Sequence, residues 1–143
     1  MVIAIFYTVF VWWFSTGAIL YLNGLPRHTF KWTMSGATLL LIAALMALHA
    51  TSQISTAWAA YCAFTCAVLV WAWQEIGFLL GLVTGSRKTE CPAGARGWKK
   101  FGFAAETVLY HELALIGLGA AVWWVTQGGV NQIGFWTYLV LWA

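Results

Sequence analysis

The chain has 143 residues, of which 62% are hydrophobic and only 8% charged. An ordinary globular domain carries about 25% charged residues. Seven Lys/Arg and four acids, all Glu, cannot make a water-soluble shell, so the composition points to an integral membrane protein. The net charge of +3 does not indicate nucleic acid, because the bases do not form a broad basic face. Arg27 and Lys31 lie in one short stretch, and Arg87, Lys88, Arg96, Lys99 and Lys100 in another.

A spanning helix needs about 20 apolar residues. Four segments qualify: Val2 to Leu22, Trp32 to Ala50, Ala57 to Thr84 and Phe101 to Thr126. The expected fold class is therefore all-α, a polytopic transmembrane helical bundle. The first segment lacks a basic start and a small-residue cleavage site, and reads as a retained span rather than a signal peptide. Asn23-Gly24-Leu25-Pro26 signals the first turn. From Ile133 to Ala143 runs a further apolar stretch, about 16 Å long as a helix and too short to cross. It reads as a truncated fifth helix, so residues 1–143 are expected to be one transmembrane domain, the N-terminal part of a longer protein.

All seven bases fall in the loops after the first and third helices. The positive-inside rule places those loops in the cytoplasm and the N-terminus outside. The basic loop of Arg87, Lys88, Arg96, Lys99 and Lys100 suits anionic lipid head groups or an acidic partner surface.

Cys62 and Cys66 fall in an apolar run and Cys91 in the basic loop, with no Cys-x-x-Cys or Cys/His cluster. Neither a disulfide framework nor a metal site is expected. Gly77, Gly81 and Gly85 are spaced at four, a small-residue run that predicts close helix packing on one face of the third helix.

Four polar residues stand inside or near the apolar runs: Glu75, Glu106, His111 and Glu112. Counting at 1.5 Å per residue puts Glu75 about 14 Å and His111 about 15 Å from the cytoplasmic side, a shared depth near the midplane. The sharp reading of Glu75, His111 and Glu112 is a proton path, metal site or pigment ligand. The plainer one is a polar clamp that fixes helix pairing. Glu106 lies nearer the interface. Neutral histidine can ligate the central metal of a chlorin. His111 has Thr107 one turn before it, which leaves room for a flat ring, and His49 lies near the outer interface. Trp32, Trp58, Trp98, Trp123 and Trp124 fit aromatic belts, while the deeper Trp71 and Trp73 suit contact with a helix or a flat ligand. Neither a Glu-x-x-His pair nor a Ser/His/acid trio is present, which argues against a di-iron site and a nucleophilic triad.

Four ordered blocks carry a family resemblance. They are Trp12-Trp13-Phe14-Ser15-Thr16-Gly17 with Leu22-Asn23-Gly24-Leu25-Pro26-Arg27; Trp73-Gln74-Glu75 through Cys91-Pro92; Trp98-Lys99-Lys100-Phe101 with Tyr110-His111-Glu112-Leu113; and Asn131-Gln132 to Trp142. The chain resembles the PuhE family of photosynthetic complex assembly proteins, departing from its pattern at Asn23 and Gln74. The resemblance implies a non-enzymatic assembly factor for the reaction centre and light-harvesting complex, in a bacterial inner membrane. It also brings in bacteriochlorophyll or carotenoid as ligands, and reaction-centre or light-harvesting subunits as partners. The alternative is a stable pigment-binding or accessory subunit of the mature complex. A membrane enzyme or transporter using Glu75, Glu106 and Glu112 would instead need a water-filled path to those acids.

Overall fold

The computed structural model describes residues 2–86, 89, 92 and 96–143. Among them are five α-helices and no strand: α1 (Val2–Asn23), α2 (Phe30–Ser52), α3 (Ala57–Leu79), α4 (Trp98–Thr126) and α5 (Ile133–Trp142). A short 3-10 turn, Arg27–Thr29, leads into α2 after Pro26. The first four helices are long and apolar enough to cross a membrane, whereas α5 is a short apolar helix.

The helices associate around α3. Half of its apolar span is buried, against 6% for α1 and 17% for α2 and α4. α3 meets all four other helices, most extensively α2. Its buried positions are mostly small: Ala59, Ala63, Cys66, Ala67 and Ala72. Small side chains let backbones approach closely, and between helices in lipid that fit is the main source of attraction. The larger core gathers Leu41, Leu48, Val70, Leu115, Val122 and Tyr138 around them. A second cluster joins Ile19 of α1 to Ala72, Ile76 and Leu80.

Helix ends follow local chemistry. The Thr56 hydroxyl caps α3 by accepting from the Ala59 N–H at 3.3 Å. At the other end the expected helix to Thr84 stops five residues early, at Leu79. Gly81 adopts φ +73°, the left-handed region. The Leu82 N–H then donates to the Gly77 carbonyl and the Gly81 N–H to the Phe78 carbonyl, both at 2.9 Å. That is a Schellman stop, which satisfies the last carbonyls of the helix. The apolar run Leu79 to Val83 masks it in the sequence.

The C-terminal ends of α2 and α4 are sealed by the α4–α5 loop. Asn131 donates from its backbone to the Ser52 carbonyl at 2.9 Å and from its side chain to the Thr51 carbonyl at 3.2 Å. Gln132 donates to the carbonyls of Thr126 and Gly129 at 2.8 and 2.9 Å. Gly129 permits this approach, since a Cβ there would sit 2.6 Å from the Ser52 carbonyl oxygen.

Candidate functional site

Two polar features lie inside the bundle. The first is a seam where α3, α4 and α5 meet. Gln74 and Tyr138 are both fully buried. Gly119 of α4 makes room for the Tyr138 ring, 3.2 Å from where a Cβ would stand. The Tyr138 hydroxyl donates to the Leu115 carbonyl at 2.9 Å and lies 3.5 Å from the Gln74 amide. A phenol has one proton, and the shorter contact takes it. The Gln74 amide therefore binds best with its NH2 turned to the phenol oxygen, which closes a three-helix chain of hydrogen bonds. The sequence reading missed this seam. A lone Gln in an apolar run was its only signal.

The second feature surrounds His111 at the basic-loop end. The His111 ring packs on Phe78, centroids 4.4 Å apart. Its Nδ1 is buried without a hydrogen-bond partner. Glu75 is half-buried on α3, and no hydrogen bond or ion pair joins it to His111. The expected Glu75–His111 pairing is therefore not a direct bond.

With α3 ending at Leu79, Glu75 stands four residues, about 6 Å, from the helix end. The Phe78 contact puts the His111 ring at that same end. An ionisable group nearer the interface is less costly than one at the bilayer centre. Glu106 and Glu112 are exposed on α4, so neither is packed into the bundle beside Glu75.

The glycine run is corrected too. Gly81 lies past the helix end, with open space where a side chain would go. Gly77 instead faces Val83 of the returning loop, 3.0 Å from a would-be Cβ. Gly85 lies against the α4 backbone at Glu106 and Thr107, closer than any side chain allows. The Thr84 carbonyl accepts from the His111 N–H at 2.9 Å. The loop therefore occupies the space over Thr107 that the sequence left for a flat ring on His111.

His49 is exposed at the C-terminal end of α2, and its Nδ1 meets the Val125 carbonyl at 3.1 Å. A carbonyl can only accept, so Nδ1 carries a proton, and in the neutral ring Nε2 holds the lone pair. Trp73, half-buried, donates from Nε1 to the Thr38 hydroxyl at 3.0 Å. Cys62 and Cys66 sit one turn apart with sulfurs at 4.0 Å, both free. Among the described residues no group of three or more His, Cys, Asp or Glu could hold a metal ion. Arg96, Lys99 and Lys100 are exposed around the start of α4, while Arg87, Lys88 and Cys91 lie outside the described residues.

Removing the phenol proton tests the seam. Tyr138→Phe should lower unfolding stability in mixed micelles by about 0.5–2 kcal/mol, because the Leu115 carbonyl and Gln74 amide lose their shared partner. An unchanged unfolding midpoint would show that the seam holds nothing together.

A family model described as "Protein of unknown function (DUF3623)" matches residues 1–143. A Rhodobacter capsulatus protein described as "Uncharacterized 30.4 kDa protein in puhA 5'region" is 38% identical over 143 residues, covering 94% of this chain and 50% of the relative. The chain thus spans about half the length of the curated relative it matches. No solved structure matches it.

Proposed function

The chain belongs to the DUF3623 family, and we propose from that premise that it is a membrane-embedded assembly factor for the photosynthetic reaction centre and light-harvesting complex. The observation that carries this reading is the name of the 38% identical Rhodobacter capsulatus relative, which puts that protein in the puhA 5′ region, a photosynthesis-gene context. The resemblance to the PuhE family blocks points the same way. The proposed work is non-enzymatic: presenting lipid-embedded faces to pigment-protein subunits and assisting bacteriochlorophyll delivery.

Physical features support such a role. α1 buries only Ile19 and leaves Phe6, Phe10, Trp13 and Phe14 exposed along a spanning helix. In lipid such a face is available to another helix or to a pigment. The exposed bases Arg96, Lys99 and Lys100 suit anionic head groups or an acidic subunit surface.

A second reading, a stable pigment-binding subunit of the mature complex, is favoured by His49. The Val125 carbonyl fixes its tautomer and leaves Nε2 as a free lone pair. Metal-ligating histidines are commonly oriented by such a bond on the other ring nitrogen. Bacteriochlorophyll is the ligand that reading implies.

Disrupting the gene in its phototrophic host decides the matter. Near-infrared absorption of the membranes should fall several-fold in the reaction-centre and light-harvesting bands, and return on complementation. Unaltered bands would refute the assembly role.

The proposed location is the bacterial inner membrane with the N-terminus periplasmic, on the base distribution. A Cys placed at exposed Ser55, in a chain carrying Cys91→Ser, should react with an impermeant maleimide on intact cells. Reaction only after lysis would invert the topology.

A further inference from the structure

A crevice of about 300 Å3 runs between α1, α2 and α3. Its walls extend from Phe10 to Leu22 on α1 and from Thr65 to Ile76 on α3, with Ala37 and Leu40 from α2. Twelve residues of helix make it about 18 Å long. The crevice is a long, narrow bore lined almost wholly by apolar side chains, a shape that suits an alkyl chain lying along the helices.

The polar groups on its walls are already engaged. The Ser15 hydroxyl donates to the Trp12 carbonyl at 2.9 Å. The Thr65 hydroxyl donates to the Tyr61 carbonyl at 2.9 Å and meets the Tyr7 hydroxyl at 2.5 Å. The Trp73 Nε1 is bonded to Thr38. With those donors engaged and the rest of the lining apolar, the crevice favours hydrocarbon over a polar guest.

Its inner end adjoins a second, more polar depression of about 720 Å3. Leu22 lines the bore and Asn23 the depression, while Ile76 of the bore and Leu80 of the depression share one apolar cluster. Arg27 lines the depression as well. It is exposed, and no ion pair holds it among the described residues. A guanidinium presents a planar fork of donors that matches phosphate oxygens, and the Asn23 amide adds a donor beside it. We infer that bore and depression together form a binding site for a phosphorylated amphiphile, its single hydrocarbon chain between α1 and α3 and its phosphate at Arg27. This site stands apart from the assembly reading and does not depend on it.

Such a single-chain phosphate ester has two sources, an isoprenoid phosphate and a lyso-glycerophospholipid. The test uses the purified full chain in phosphatidylcholine nanodiscs, photolabelled with diazirine forms of geranylgeranyl phosphate, lysophosphatidylglycerol and neutral geranylgeraniol. Labelled peptides are mapped by mass spectrometry. Label from an anionic probe should fall on residues 10–22 and 65–76, about tenfold above the neutral alcohol. Whichever anionic probe labels more strongly identifies the source, and equal labelling assigns the site to both. Arg27→Ala, at an exposed position, should cut anionic labelling by about tenfold, as should Ala18→Phe, which fills the bore. Lys99→Ala, outside the site, should leave it unchanged. Equal labelling by the neutral alcohol, or labelling indifferent to Arg27→Ala, would overturn the site and leave an ordinary lipid-filled groove.

Discussion

Close approach of backbones along α3 is the constraint from which the rest of the structure follows. Lipid tails are as apolar as leucine, so apolar burial gives no net drive between spanning helices. What remains is fit. Ala59, Ala63 and Ala67 are fully or almost fully buried and leave room for the neighbouring helices. α2 uses that room to bring Leu41, Ala44 and Leu48 into the core, and α5 uses it to seat Tyr138. α1 has only Ile19 buried. Its looser seat leaves a crevice beside it, against α2 and α3.

The same environment dictates how polar groups are handled. With no water in hydrocarbon, each must find a partner inside the protein or sit near an interface. At the end away from the basic loop, Asn131 and Gln132 take up carbonyls left at the ends of α2 and α4. In the middle, Tyr138 serves the Leu115 carbonyl and the Gln74 amide together. At the basic-loop end the Schellman turn folds residues 81–85 over α4, and Glu75 and His111 both stand near that end of α3.

The spans themselves were legible because each is a sustained apolar run, and length alone separates them from core helices. The end of α3 was not. Leu82 and Val83 prolong the apolar run, and only the backbone angle at Gly81 shows that the helix has stopped. Two expectations drawn from a longer helix shift with that one residue: the distance of Glu75 from the helix end, and the grouping of Gly77, Gly81 and Gly85 on one face. His111 was picked out by its chemistry. Its neighbours were not legible, because the Thr84–Gly85 segment reaches it only after the chain reverses. Gln74 and Tyr138 are 64 residues apart, and no local pattern links them.

One measurement bears most directly on the central role of α3. Ala67 is fully buried at the middle of that helix, while Ala120 is exposed on α4. Denaturant unfolding in mixed micelles compares Ala67→Leu with Ala120→Leu, the same added atoms in two settings. Overpacking α3 should cost about 1–3 kcal/mol, with the lipid-facing change close to neutral. Equal small effects at both positions would contradict the account, since they would mean that the helices are not held together by close packing on α3.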